Sequence, residues 1–522
     1  MSSYSTRTLE IFLLVLSFVI FVAGIWSPSI LTQGDESDYI RTSQEMFESG
    51  DYLSPSFRGE PRFTKPPLLY WMVLTSYQFF GESFFASRLP VVLCAVITIL
   101  FVFRMGLLLF DRESAWISAL IAASCFGMVK FSKIVLMESP LVLTYLLSFY
   151  YFARFYKEEK GQCLVISFAF LGFSALLKSP VYSLIGGVSM GLFLLAEGRL
   201  NRLLGPHLLP AVLIALGLSI PWYIAMIALH GSLFTDFYLN EHTSKFGDIP
   251  HFILRVWFGL LLYLLPWTVY VLYSIFVIWR ERLYREWNHK LLLIVIGVFL
   301  IVFMIPDQKG LYYSIPLLPY CALMTGGVLG GRFPPGIISD RLSAVLLCIA
   351  ALVFASSIVL LGSALGSALL AFVFSLSAAL LLFNGRRTAA MILAGLALVP
   401  LYTHIFPSIN FEIVPVRDTL EITGRQPIYS FRISPLKFSN ALGREVHELL
   451  EEEELKEALA GGGFSIINAD DYRALDANMR GQTRVLLEWM RWRRRIPFDT
   501  FFSAILTGNP EKLHQRVLLI AR

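Results

Sequence analysis

Apolar runs close to the length of a bilayer crossing recur through most of the chain, and they constrain its fold more than any single motif. They lie at about residues 9–27, 84–103, 114–130, 139–154, 162–178, 180–197, 208–229, 254–279, 290–305, 310–330, 342–362, 364–384 and 388–406. Lipid offers the backbone no hydrogen-bond partners, so such runs must be helices. The spacing predicts a polytopic α-helical membrane protein with about thirteen transmembrane helices. Composition agrees, with 56% hydrophobic and 16% charged residues among 522. The shorter run Pro66–Phe80 opens on two prolines and reads as a helix lying at the membrane interface. Arg7 precedes the first apolar run, but no small-residue cleavage site follows, so that run reads as an uncleaved first helix.

Loop charges fix an expected orientation. With the N-terminus inside, the inner loops hold Arg104 and Arg112, then Arg154, Lys157 and Lys160, then Arg199 and Arg202. Further along come Arg280, Arg282, Arg285 and Lys290, then Arg332 and Arg341, then Arg386 and Arg387. All are basic, as the positive-inside rule requires. This accounts for the net charge of +5 without nucleic acid, for which no basic stripe or recognition motif exists. The five cysteines fall in apolar stretches without disulfide or metal spacing. Loops at about 28–83 and 230–253 then face outward, as does everything after about residue 406.

From about residue 407 the chain becomes charged. Strand-like Pro427–Ile433, helix-like Glu451–Ala460, strand-like Gly463–Ile467 and strand-like Gln515–Ile520 predict a small C-terminal α/β domain, periplasmic by the same parity. The acidic run Glu451–Glu454 suits a solvated helix start. Gly461–Gly463 reads as a helix stop, since no phosphate-loop lysine follows. Gly326 and Gly330 form a small-residue pair that signals close helix packing.

Once topology explains the inner cations, the informative residues are the ionisable ones left outside. Asp35 and Glu36 follow the first span and begin a short amphipathic helix, where an N-terminal dipole partner is the plain alternative to chemistry. The same loop carries Arg58, Arg62 and Lys65, and Arg88 opens the second span. Lys130, Lys133, Lys178, Lys245, Arg255 and Lys309 are further outward cations at span ends. Each could snorkel to lipid phosphate, but together they invite an anionic partner held in the bilayer. Glu138 stands at the outer mouth of the fourth span, where a carboxylate facing lipid is costly and one facing the bundle is not. Asn240-Glu241-His242 and His251 complete the set, with no strong metal-ligand spacing. A carboxylate can remove an acceptor's proton while cations stabilise a departing phosphate, so these parts suit displacement at an anomeric carbon.

The ordered residues also resemble a known family. Asp35-Glu36-Ser37-Asp38-Tyr39, Ser49-Gly50-Asp51-Tyr52, Lys65-Pro66-Pro67, Tyr70-Trp71 and Arg88-Leu89-Pro90 are similar to the first outer loop of ArnT-type aminoarabinose transferases. These belong to the protein O-mannosyltransferase-like group of GT-C glycosyltransferases. The similarity continues through Leu136–Leu141, Lys178-Ser179-Pro180, Pro221-Trp222, Asn240-Glu241-His242 and Lys309 to Tyr313. It implies a GT-C fold, with residues 1–406 as the catalytic membrane domain and 407–522 as the soluble domain. It also implies transfer of a sugar from a polyprenyl-phosphate carrier to an envelope lipid or glycan at the periplasmic face of a bacterial inner membrane, with inversion. By the resemblance Asp35 is the catalytic acidic residue, with Glu36 and Glu138 beside it. Arg58, Lys65, Arg88, Lys178, Glu241, His242, Lys309 and Tyr313 are then substrate-binding. Asp38, Thr64 and Ser179 depart from the family's usual Arg, Glu and Gly. Without that Glu no full ligand set for a divalent metal stands, and no cofactor is otherwise implied. Protein O-glycosylation is the alternative acceptor chemistry. A transporter would gather ionisable residues at mid-membrane in repeated halves, and neither feature is present. An envelope assembly protein would leave Asp35 replaceable.

Overall fold

The structure is a computed structural model that describes residues 5–27, 34–57, 59–203, 205–243, 255–304, 310–331, 333, 335–361, 365–405, 415–433, 435, 438–439, 442, 444–492, 503 and 514–522. The chain divides into two compact units, one of Met1–Trp26, Gly34–Leu352 and Leu370–Val399, the other of Ser27–Gln33, Val353–Leu369 and Pro400–Arg522.

Helices follow the apolar runs. The chain begins with α1 (Thr6–Val22), α2 (Gly34–Ser49), the two-residue strands β1 (Ser56–Phe57) and β2 (Glu60–Pro61), and α3 (Leu68–Phe80). Next come α4 (Phe84–Leu109), α5 (Arg112–Ser124), α6 (Phe126–Phe131), α7 (Glu138–Glu158), α8 (Gly161–Leu177) and α9 (Pro180–Ala196). A short α10 (Leu200–Leu203) leads to α11 (Leu208–His230), α12 (Ser232–Thr243), α13 (Arg255–Tyr263), α14 (Thr268–Arg280) and α15 (Trp287–Met304). After a 3₁₀ turn at Leu311–Leu317 follow α16 (Leu318–Leu329), α17 (Ile337–Leu361), α18 (Leu365–Phe383) and α19 (Arg387–Pro400). Among the described residues, α4, α11, α15 and long stretches of α17 and α18 are each long and apolar enough to cross a membrane, which makes this a multi-pass membrane protein.

Local chemistry sets the helix ends. Ser83 and Asp111 accept hydrogen bonds from the N–H groups of Ala86 and Ser114, capping α4 and α5. Ser179 caps α9 with Pro180 at its first turn, where a missing N–H costs nothing. The small-residue pair behaves as its spacing predicts. A methyl group on Gly326 would collide with Ser114 and Ser118 of α5, and one on Gly330 with Ser114, so α16 lies against α5 at backbone distance.

The run 254–279, expected as one span, holds two helices with a bend of 113° between them. Pro266 sits in the break and lacks the N–H a continuous helix would need there. The bend directs α13 onto the 3₁₀ turn, where Gly259 packs against the Leu311 backbone too closely for any side chain.

In the second unit a five-stranded sheet has the order β4-β3-β5-β7-β6. Its strands are β3 (Ile428–Phe431), β4 (Val446–Leu449), β5 (Phe464–Asn468), β6 (Arg484–Trp492) and β7 (His514–Ala521). β3 pairs in parallel with β4 and β5, while β7 runs antiparallel to β5 and β6. Alternation sorts the side chains onto two faces. Ile428, Ile466, Val517 and Leu519 pack on one, towards Leu420 of helix Val416–Thr423. Ile467, Leu518 and Ile520 pack on the other, with Leu455 and Leu459 of helix Glu452–Ala460. The Glu451–Glu454 run forms a capping box at that helix's start, and Gly461 ends it. β4 and β6 lie in segments the sequence pattern does not mark as strands.

Candidate active site

α2 begins with Asp35 and Glu36, and the two carboxylates have different surroundings. Glu36 is fully buried and accepts hydrogen bonds from Arg88 Nε at 2.7 Å and Arg88 Nη2 at 3.1 Å. Its Oε1 also accepts from the backbone N–H of Val135 at 3.0 Å. Arg88, likewise 0% exposed, uses Nη1 to reach the carbonyl of Ile25 at 3.0 Å. Lys133, expected as an outward cation, is buried as well. Its ammonium donates to the carbonyls of Ile20, Phe21 and Ala23 at 2.5, 3.0 and 2.8 Å, where α1 ends and its last carbonyls lack helical partners. The end of α1, the starts of α2 and α4, and the turn before α7 are thus joined by one buried polar clamp. Glu36 and Arg88, expected as catalytic and substrate-binding, meet each other and backbone groups here.

Asp35 is exposed, yet its surroundings hold its carboxyl above the ordinary carboxylate value. Desolvation by nearby protein is the largest cause, Asp38 and Glu138 add to it, and Arg62 and Lys65 oppose it. Those four residues are the site's electrostatic neighbours. Arg62 pairs with Asp38 at 3.1 Å and lies over the rings of Tyr39 and Phe57. Lys65 is half-buried and donates to the Thr64 carbonyl at 3.0 Å. β1 pairs with β2 in the segment that leads to these cations. Ser56 Oγ donates to Glu45 at 3.0 Å, which ties that segment back to α2.

Glu138 begins α7 and accepts from Lys178 Nζ at 2.7 Å, with both side chains almost wholly buried. Lys178 also sits 4.9 Å from the ring centre of Tyr313, 5.4 Å from Tyr182 and 5.5 Å from Tyr312. Tyr312 and Tyr313 come from the 3₁₀ turn and stack at 5.1 Å. Each cation–ring contact of this kind contributes about 0.5–2 kcal/mol, so the tyrosines reinforce the ion pair without replacing it.

The structure therefore brings Asp35, Lys65, Glu138, Lys178 and Tyr313 into one electrostatic neighbourhood, with Glu36 and Arg88 directly behind. Arg58 and Lys309 lie outside the described residues. Glu241 and His242 fall in the last turn of α12, and their side chains lie outside the described residues as well. Sequence reading passed over Asp38 as a partner of Arg62, and Tyr182 and Tyr312 as walls of the site. The tyrosines sit in apolar runs, where their hydroxyls leave no mark on the pattern. Among the described residues no group of three or more metal-ligating side chains gathers.

Comparison with known proteins first gives the class. Across 98% of the chain the fold matches the crystal structure of ArnT from Cupriavidus metallidurans bound to undecaprenyl phosphate, covering 97% of that protein with a TM-score of 0.73 at 17% identity. Residues 64–224 match the family model for dolichyl-phosphate-mannose-protein mannosyltransferases. In fold the chain is similar to ArnT, and in sequence part of it is similar to the mannosyltransferase family model, in line with the resemblance carried by residues 35–90. Particular relatives are the undecaprenyl phosphate-alpha-4-amino-4-deoxy-L-arabinose arabinosyl transferases. That of Pseudomonas aeruginosa strain UCBPP-PA14 is 28% identical over 324 residues, 60% of this chain and 57% of the relative. That of Yersinia enterocolitica is 26% identical over 325 residues, 60% of this chain and 58% of the relative. The match thus spans less than two thirds of these relatives' length.

Proposed function

We propose that this protein transfers a sugar from a polyprenyl-phosphate carrier to an acceptor in the cell envelope. The carrying observation is that an exposed carboxylate, Asp35, shares its surroundings with Lys65 and the Glu138–Lys178 pair. Asp35 is the base in this reading. It takes the proton of an acceptor hydroxyl as that oxygen bonds to the anomeric carbon. The bond from that carbon to the phosphate oxygen breaks, and its electrons leave with the polyprenyl phosphate. Lys65, Lys309 and Tyr313 meet the charge developing on the phosphate, while Arg58, Glu241 and His242 bind donor or acceptor. One direct displacement inverts the anomeric centre. The raised carboxyl of Asp35 supports the assignment, because a stronger base accepts the acceptor's proton more readily. In the same reading Glu36 and Arg88 do not touch substrate. They hold the start of α2, and Asp35 with it, in place.

A membrane-bound donor requires a site open at the bilayer surface. The charge pattern of the loops supports about thirteen crossings of the bacterial inner membrane, a cytoplasmic N-terminus and a periplasmic site. Residues 1–406 then form the catalytic membrane domain and 407–522 a soluble periplasmic one. The acceptor is lipid A, a polysaccharide or another glycolipid. The match of residues 64–224 to a protein mannosyltransferase family favours protein O-glycosylation as the second reading.

Mass spectrometry of envelope lipids, glycans and glycoproteins should reveal one glycoform that disappears on deletion and stays absent with Asp35→Asn. Since loss of a general base costs about 10²–10⁴ in rate, survival of every glycoform with that variant would remove the assignment. Which fraction loses its sugar separates the two acceptor classes.

A further inference from the structure

The cations around the site differ in what already satisfies them. Arg88 is held by Glu36, Lys133 by three carbonyls, Lys178 by Glu138 and Arg62 by Asp38. Lys65 has the Thr64 carbonyl and further contacts. Lys130 differs from all of them. It is half-buried in the last turn of α6, with Nζ 5.3 Å from the Phe131 ring centre and 5.9 Å from that of Tyr263. Among the described residues no carboxylate or hydrogen-bond acceptor meets its ammonium, and two aromatic rings lie beside it. Withdrawing an ammonium from water without a counter-ion is costly, and two aromatic faces offset only part of that cost.

Its position connects it to the chemistry. Phe131 packs edge-on against Tyr263 at 5.3 Å and approaches Tyr312 at 6.5 Å, and Tyr312 is one of the three rings around Lys178. Ser139, the residue after Glu138, donates its hydroxyl to the Phe131 carbonyl at 2.9 Å. The Phe126 N–H donates to the Leu265 carbonyl at 2.9 Å, fixing α6 to the bend between α13 and α14. Lys130 therefore stands near the Glu138–Lys178 pair, with aromatic rings between, on an element anchored at both ends.

We infer that Lys130 is an anion-binding residue whose counter-ion arrives with the substrate, as a phosphate oxygen of the lipid-linked donor; this rests on the function proposed above. Lys178 must first turn away from Glu138 to meet a second anion. Lys130 keeps its whole charge for one. The rings of Phe131 and Tyr263 lie beside the half-buried ammonium, so a phosphate that enters meets it next to apolar walls that lower the local dielectric. The unliganded protein bears the desolvation of that charge, and the ligand relieves it.

The test uses full-length protein in nanodiscs, with polyprenyl monophosphate, inorganic phosphate and phosphatidylglycerol as separate probes. Wild type, Lys130→Met and Lys130→Arg are compared for binding and for thermal unfolding without ligand. We expect Lys130→Met to bind polyprenyl phosphate about ten- to a hundredfold more weakly, the loss of one charge-assisted contact. Lys130→Arg should keep most of the affinity. Unliganded Lys130→Met should unfold at or above the wild-type temperature, because a half-buried charge without a counter-ion is gone; a lysine serving only the fold would give a decrease. Wild-type affinity for polyprenyl phosphate in Lys130→Met would overturn the inference and leave the proposed function standing. A loss confined to phosphatidylglycerol, or equal to that for inorganic phosphate, would make this a site for bulk lipid or free phosphate and also overturn it. Failure of the wild type to bind polyprenyl phosphate would remove the proposed function, and this inference with it.

Discussion

Two buried acid–base pairs lie close together, Glu36–Arg88 and Glu138–Lys178, and they are built for different ends. The first is closed, since two guanidinium nitrogens meet both carboxylate oxygens and two backbone groups take part. Planar arginine suits this fixed bidentate geometry. The second is joined through one nitrogen and one oxygen, and its lysine is otherwise surrounded by tyrosine faces. An ammonium on a flexible stem can turn towards a new partner, and a carboxylate released by it can rebind. The comparison teaches that burial of an ion pair does not reveal its role. The number and rigidity of its contacts do.

Breaking the closed pair should have the largest effect on the fold. Arg88→Met leaves the Glu36 charge buried without a partner, and we expect a loss of about 3–5 kcal/mol in stability, seen as a large fall in unfolding temperature. Glu36→Leu combined with Arg88→Met should recover most of it, because no lone charge remains. If Arg88→Met unfolds like the wild type, the clamp has no structural weight and Arg88 returns as a candidate ligand for substrate.

The open pair should show the reverse balance. Lys178→Met is expected to lower turnover about a hundredfold while its unfolding temperature falls less than that of Arg88→Met, since a single side-chain hydrogen bond is lost. Equal losses of stability in the two variants would erase the distinction drawn here.

The smallest effect is electrostatic and is read from the pH dependence of kcat/KM. Asp35 acts only when ionised, so activity falls as pH drops through its raised pKa. Asp38 raises that pKa, so Asp38→Asn should move the acidic limb to lower pH, whereas Arg62→Met removes an opposing charge and should move it higher. Each displacement is expected to be below about one pH unit. An unmoved limb in both variants would assign the titration to another group.

Much of this was legible in the sequence, for identifiable reasons. The apolar runs locate the helices because lipid leaves the backbone no alternative. Three strands of the C-terminal sheet domain are marked by their apolar pattern, and Glu451–Glu454 marks a helix start by its charge. β4 escaped notice because Val446-His447-Glu448-Leu449 runs into an acidic, helix-like stretch, and only its pairing with β3 makes it a strand. β6 is a strand through its pairing with β7. Asp35, Glu138 and Lys65 stand out as ionisable residues at span ends that the loop charges predict to face outward, yet nothing along the chain separates them from Glu36, Arg88 or Lys133, which look the same in sequence.

The sequence by itself determined where the chain can cross lipid and which charges remain near one surface, since hydropathy and charge are properties of residues and short segments. Tertiary structure alone decided which charges meet. Glu36 and Arg88 are 52 positions apart and Lys133 reaches carbonyls more than a hundred positions away. A counter-ion's identity depends on distance in space, and local pattern carries no record of it.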